Sequence, residues 1–207
     1  MKIIFDHSQG IVKNDRVYCE AFAVPEGEKE HELLELGFLP AIQPPLYWYQ
    51  AKSCRINHDG ISLSYKRRKI LSDLEFEILD YCEVREKVDQ FFYSYMEQKN
   101  LDFKGYYDKN SENFPLQVME IKHKGDVVAY TRFWNLDEVI LGLETAFVLS
   151  KPRFSLGISS ILLLSRFGKS LGKNYTYIYE SYSEYFPYKM DISGVEYWEG
   201  EKWMSPK

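Results

Sequence analysis

Lys151-Pro152-Arg153-Phe154-Ser155-Leu156-Gly157-Ile158-Ser159 is the stretch on which the fold turns. It follows an apolar run ending at Val148-Leu149 and opens a segment in which Ile158, Ile161, Leu162, Leu164, Phe167 and Leu171 recur at helical spacing. Gly172 sits where a helix C′ residue belongs. The β-branched and aromatic run Asn174-Tyr175-Thr176-Tyr177-Ile178-Tyr179 then reads as a strand. A strand, turn, helix and second strand put the helix N-terminus beside the strand ends, where an open α/β sheet keeps its ligand. The amides of Leu156, Gly157 and Ile158 are then unpaired donors at the positive end of the helix dipole, an expected anion cradle. Gly157 would let a phosphate approach the backbone, and Arg153 and Ser155 flank it.

Working toward the N-terminus, Val139 to Leu149 reads as the strand that feeds this turn. Leu116 to Lys122 and Val127 to Trp134, joined by His123-Lys124-Gly125-Asp126, read as an antiparallel hairpin. The spacing of Val84, Val88, Phe91, Phe92 and Tyr95 predicts a helix over Glu83 to Lys99. A hairpin, a third strand, a crossover helix and a strand running parallel give a mixed sheet of α/β (α+β) class.

Earlier still, Glu28 to Leu36 reads as a short helix stopped by Gly37, and Leu46-Tyr47-Trp48-Tyr49 has strand composition. Cys54-Arg55-Ile56 and Ile61 to Tyr65 around Asn57-His58-Asp59-Gly60 read as a second hairpin. The basic run Lys66-Arg67-Arg68-Lys69 follows it. The expected organisation is an N-terminal lobe over 1–70 and a core over 71–207.

With 207 residues, 45% hydrophobic and 28% charged, the chain can bury a full core. Its net charge of −5 argues against broad nonspecific binding to nucleic acid, DNA included, and leaves the 52–69 region as a local basic exception. Three separated cysteines, Cys19, Cys54 and Cys82, give no zinc or disulfide pattern, so no metal and a reduced cytoplasmic setting are expected. The first residues do not read as a signal peptide, and no apolar run is long enough to span a membrane. His7, His31, His58 and His123 are scattered over predicted turns and a surface helix, so no catalytic histidine is expected.

The order hairpin, strand, phosphate turn, helix, strand resembles the GNAT acyltransferase core, with Phe154 to Ser159 at its pyrophosphate loop and Arg153 one residue early. The chain also resembles the arginyl- and leucyl-tRNA-protein transferases, a GNAT-related family. That resemblance rests on Leu34-Glu35-Leu36-Gly37-Phe38 with Leu46 to Tyr49 and Cys54-Arg55-Ile56, and on Ser62 to Arg68. It continues through Phe92 to Tyr95 with Asn100-Leu101-Asp102, and Ser155-Leu156-Gly157 with Ile161-Leu162. It ends on Tyr179-Glu180-Ser181-Tyr182, Tyr188-Lys189, Glu196 and Trp203.

The resemblance implies transfer of an amino acid from aminoacyl-tRNA to an amine such as a protein N-terminus, with no bound cofactor. Glu180, or else Glu184, would accept the amine proton, and Tyr182 or Tyr188 would serve the leaving ribose oxygen. Backbone amides around Val148 to Ser150 would meet the oxyanion. Lys189 belongs to the same catalytic group, and Lys66, Arg67 and Arg68 would track the tRNA backbone. Transfer from acetyl-CoA, or peptide binding without catalysis, are the alternatives.

Overall fold

The computed structural model describes residues 1–5, 12–13, 16–17, 21–40, 47–50, 52–100, 116–180 and 187–206. Among the described residues the chain order is β1 (Lys2–Phe5), β2 (Val12–Lys13), β3 (Arg16–Val17), β4 (Ala21–Val24), α1 (Glu30–Glu35), β5 (Phe38–Pro40) and β6 (Trp48–Gln50). Then come β7 (Ser53–Asn57), α2 (Tyr65–Ser72), β8 (Glu75–Asp80), α3 (Tyr81–Gln98), β9 (Leu116–His123), β10 (Asp126–Asn135) and β11 (Val139–Phe147). The last elements are α4 (Leu156–Ser170), β12 (Tyr175–Glu180), β13 (Val195–Trp198) and β14 (Trp203–Met204).

β9 and β10 are joined through Lys124 and Gly125, both at positive φ (56° and 85°), the conformation of a two-residue hairpin turn. α3 starts where the Asp80 side chain accepts the Cys82 amide at 2.8 Å. α4 ends at Gly172, at φ +77°, whose amide bonds the Lys169 carbonyl while the Lys173 amide bonds that of Gly168. This pair closes the last turn and returns the chain to β12.

The larger sheet has eight strands in the order β14-β13-β7-β12-β11-β10-β9-β8. Among the described strands only β11 and β12 pair in parallel, and α4 is the crossover between them. α3 covers one face through Val88 and Phe92 against Val118 and Tyr130. α4 covers the other, with Leu162, Leu163 and Leu164 buried among Ile56, Ala129, Phe133 and Ile140. β1, β4, β6 and β5 form a second sheet that, with α1, packs Leu33, Leu34, Phe38 and Trp48 into one apolar cluster with Trp134, Leu141 and Tyr177 of the large sheet.

Arg55 on β7 adds a polar tie between α1 and the large sheet. The guanidinium donates to Glu196 Oε2 at 2.7 Å and to Glu35 Oε2 at 2.6 Å, and lies 3.3 Å from the Tyr177 hydroxyl. Its planar face is 3.9 Å from the Tyr175 ring centroid and 4.2 Å from that of Trp203. Trp203 in turn donates from Nε1 to the Glu35 carbonyl at 2.9 Å.

The expected hairpin over 54–65 does not form. β7 has β12 on one side and β13 on the other, so it offers no edge to a following strand. Ile61 and Leu63 pack instead on the α4 side of the core, and the Ser64 hydroxyl accepts the Arg67 amide at 3.2 Å to start α2. The basic run is therefore helical. β8, which pattern reading missed, is the outermost strand beside β9 and carries exposed Glu75, Phe76 and Glu77.

His58 is not a surface turn residue either, being 3% exposed. Its Nδ1 faces the Lys173 carbonyl at 2.7 Å, which can only accept, so Nε2 accepts from the Thr176 hydroxyl at 2.8 Å. Burial pushes this imidazole below its ordinary 6.5, against the opposing pull of the Lys173 carbonyl. Between 6.5 and the lowered value the unfolded chain binds a proton that the folded chain refuses. Stability should be full above that window and fall as pH drops through it. Urea unfolding between pH 8 and pH 5 checks this, with His58→Gln keeping only the part of the slope due to His123, which shifts in the same direction.

Candidate active site

The parallel pairing of β11 with β12 covers only Val139↔Tyr175, Ile140↔Thr176 and Leu141↔Tyr177. Beyond that point each strand stays with its other neighbour: β11 with β10 through Phe147↔Ala129, and β12 with β7 through Glu180↔Ser53. The sheet therefore splits along its middle. Two bulges at the same level account for this. Arg132 pairs with Glu144 and Phe133 with Gly142, leaving Leu143 as an extra residue on β11. Tyr177 pairs with Arg55 and Glu180 with Ser53, leaving one extra residue at Ile178-Tyr179, where Tyr179 takes φ 61°. A bulge bends the strand that carries it, and here two facing strands bend apart into a wedge.

Lys189, in the 3-10 turn Pro187–Asp191, is 7% exposed and donates from Nζ to the Ile178 carbonyl at 2.7 Å. The bulge takes that carbonyl out of regular strand pairing, and Lys189 satisfies it. Tyr188 beside it is partly buried, and burial pushes its phenol above the ordinary tyrosine value. Tyr95 on α3 is raised by burial and then by the neighbouring Tyr188. The Tyr95 ring centroid is 5.0 Å from that of Phe147, the last residue of β11. Phe147 in turn borders Gly157 on α4, where an added Cβ would stand 3.6 Å from its ring edge. Tyr95, Phe147 and Gly157 thus follow one another from α3 across the end of β11 to α4, with Tyr188 near Tyr95.

α4 joins this series by its N-terminus. Pro152–Phe154 make a 3-10 turn, and Ser155 follows at φ 44°, ψ 56°. The Ser155 side chain caps no amide, and the first intrahelical bond runs from the Ser159 amide to the Ser155 carbonyl at 2.9 Å. The amides of Leu156, Gly157 and Ile158 precede it, in the turn that lacks i−4 acceptors. Leu156 buries its side chain at 3% exposure, whereas Gly157 and Ile158 are partly exposed. The Ser159 hydroxyl, fully buried, donates to the Phe154 carbonyl at 2.6 Å and receives Arg67 Nη1 at 3.5 Å. Arg67 of α2 and the α4 turn, separate in sequence, therefore meet.

The surroundings are electropositive. Arg153 is exposed, with its guanidinium 4.6 Å over the Phe154 ring. The His123 ring centroid lies 4.6 Å from that of the same ring, tilted by 52°, and the imidazole is pushed down by burial and then by Lys151, Lys124 and Arg153. Lys66 and Arg68 stand on α2, exposed.

Among the expected site residues, Arg67 meets α4 at Ser159, just after Ser155 to Ile158, and Lys189, with Tyr188 beside it, is held to β12 through the Ile178 carbonyl. Glu180 is the last residue of β12. Tyr182 and Glu184 lie outside the described residues. The Val148 amide, expected near the oxyanion, donates to the Val128 carbonyl at 3.0 Å, so that donor is taken. The edge of β11 beyond Leu141 is the one that loses its β12 partners. Glu196 and Trp203, prominent in the family resemblance, stand on Arg55 rather than in the wedge. In the sequence Tyr95 belongs to an apolar helical stripe and to the family likeness without a role at the site, and nothing singles out Phe147.

No protein-family model matches the sequence, and no curated protein matches it. Solved structures do. L-PGS from Bacillus licheniformis is 14% identical, with a TM-score of 0.50 over 76% of this chain and 52% of that one. The C-terminal DUF2156 domain of a putative lysylphosphatidylglycerol synthetase from Agrobacterium fabrum is 12% identical, with a TM-score of 0.47 over 73% and 51%. A GCN5-related N-acetyltransferase from Kribbella flavida is 13% identical, with a TM-score of 0.42 over 84% and 60%. The chain spans about half the length of the first of these structures. The fold is a GNAT-like mixed sheet with a central crossover helix. Membership of the arginyl- or leucyl-tRNA-protein transferases is not among these likenesses. Among the described residues no helix is long and apolar enough to cross a membrane.

Proposed function

We propose that this chain is an acyltransferase that moves an amino acid from aminoacyl-tRNA to an amine, such as the N-terminus of a peptide or protein. One observation carries the reading: Arg67 of the basic helix reaches Ser159 at the start of α4, whose leading amides have no i−4 acceptors. A phosphate at Leu156 to Ile158, with Arg153 and Ser155 at its edge, would then be continuous with the cations Lys66, Arg67 and Arg68.

In the wedge, the amine nitrogen attacks the ester carbon, forming C–N and expelling the ribose oxygen. The nitrogen loses a proton and the ribose oxygen gains one. Glu180 is assigned the first transfer, through water, with Tyr182 as an alternative partner of the leaving oxygen. Tyr188 is assigned the second transfer, as a phenol that carries its proton at neutral pH. An amide on the stretch of β11 that no longer pairs with β12 would face the oxyanion. Lys189 acts as a positioning residue, through the Ile178 carbonyl.

A coenzyme-dependent acyltransferase is the second reading, favoured by the same α4 turn. The two separate in a binding experiment. A tRNA whose amino acid is joined through a hydrolysis-resistant amide should bind the protein and should be displaced poorly by coenzyme A. Tight coenzyme A binding with no tRNA binding would reverse the assignment.

Gly157 gives a sharper check. Its hypothetical Cβ meets only ordinary contact, so the fold does not require glycine there. Gly157→Ala should leave stability unchanged or raise it by up to about 1 kcal/mol. The same change should weaken binding of the phosphate-bearing donor roughly tenfold or more. Thermal unfolding and donor titration measure the two effects separately.

A further inference from the structure

We infer that the exposed face of α2 is a stacking platform for an unpaired RNA end, with Tyr65 as the base-stacking residue. The inference rests on the aminoacyl-tRNA reading and adds a base-stacking residue to the cations that reading uses. Tyr65 is the first residue of α2 and is 75% exposed, the largest value among the exposed large hydrophobic and aromatic side chains described. Arg68 and Lys69, three and four residues on, share its face and are exposed as well. Among the described residues none of Tyr65, Lys66, Arg68 and Lys69 enters a side-chain hydrogen bond or an ion pair. No acidic residue occurs between Ile61 and Ser72, in a chain of net charge −5.

The helix thus divides its functions. Arg67 and Ile70 turn inward, Arg67 to Ser159 and Ile70 to the α4-side core. Tyr65, Arg68 and Lys69 turn outward as an aromatic ring flanked by uncompensated cations. That combination suits single-stranded nucleic acid, where bases stack on aromatic faces and phosphates meet cations. A strand lying on this face leads, through Arg67, to the α4 turn, so the last unpaired nucleotides of a charged tRNA would be guided into the wedge.

The test is fluorescence anisotropy with a labelled single-stranded RNA of about seven nucleotides ending in CCA, read at several salt concentrations. Tyr65→Ala should weaken binding about tenfold or more while Tyr65→Phe stays near wild type. Arg68→Gln with Lys69→Gln should make the slope of log K against log salt shallower by about 0.7 per lost phosphate contact. All these side chains are exposed, so unchanged thermal unfolding of each variant is expected. Equal binding by Tyr65→Ala and wild type would overturn the inference. So would heparin or anionic vesicles binding as tightly as the RNA with Tyr65 dispensable. If the wild type transfers an amino acid from tRNA but Tyr65→Ala alters neither oligonucleotide binding nor KM for tRNA, this inference fails and the functional reading stands. RNA binding through Tyr65 with no transfer at all would leave the platform and remove that function.

Discussion

Arg55→Ala is expected to lower the free energy of unfolding by about 3 to 5 kcal/mol, the range for removing one partner of a buried charge cluster. Arg55 is 5% exposed and holds Glu196 and Tyr177 inside the large sheet while reaching Glu35 at the end of α1. Glu35 is more than half exposed and can rehydrate, whereas Glu196 and the Tyr177 hydroxyl lose a partner where water enters less readily. The stacked Tyr175 and Trp203 rings would also lose the guanidinium between them. Lys at this position restores the charge without the planar fork, so Arg55→Lys should recover only part of the loss. Urea unfolding followed by tryptophan fluorescence and far-ultraviolet circular dichroism measures both variants. A loss below about 1 kcal/mol would mean that the cluster behaves like a surface ion pair.

Glu180→Gln should reduce the rate of transfer by about a hundredfold or more, the usual contribution of a general base. The substitution keeps size and hydrogen-bonding capacity, so folding and donor binding should be unchanged. Tyr188→Phe should lower the rate by a similar factor if its phenol serves the leaving oxygen. Single-turnover measurements with pre-bound donor separate these effects from binding. Full activity in Glu180→Gln would move the proton acceptor elsewhere along the wedge.

Much of this architecture can be read along the chain. The α4 pattern, its Gly172 stop and the following aromatic strand carry strong periodic signals, and they fix the crossover that makes the sheet mixed. The β9–β10 hairpin is equally plain because Lys124-Gly125 is a compact turn between two apolar runs. Ile61 to Tyr65 misleads because alternation looks the same in a strand and in an extended connection packed on a core. Only the occupation of both β7 edges decides between them. The wedge is invisible in sequence, since a bulge is a mismatch between two strands and has no residue signature of its own on Leu143 or Ile178. The meeting of Arg67 with Ser159 is equally hidden, because it depends on how α2 packs against α4. Glu196 and Trp203 show the opposite case, a recognisable sequence pattern that serves the joint between the two sheets.

The most direct measurement is label transfer by the purified protein from a pool of labelled aminoacyl-tRNAs to peptides with different N-termini, beside a parallel reaction supplied with labelled acetyl-CoA. The expected result is label passing from tRNA to peptide, abolished in Glu180→Gln and diminished in Gly157→Ala, with the acetyl-CoA reaction silent. Acetyl transfer with the tRNA inert would contradict the tRNA assignment and leave a coenzyme-dependent acyltransferase of the same fold.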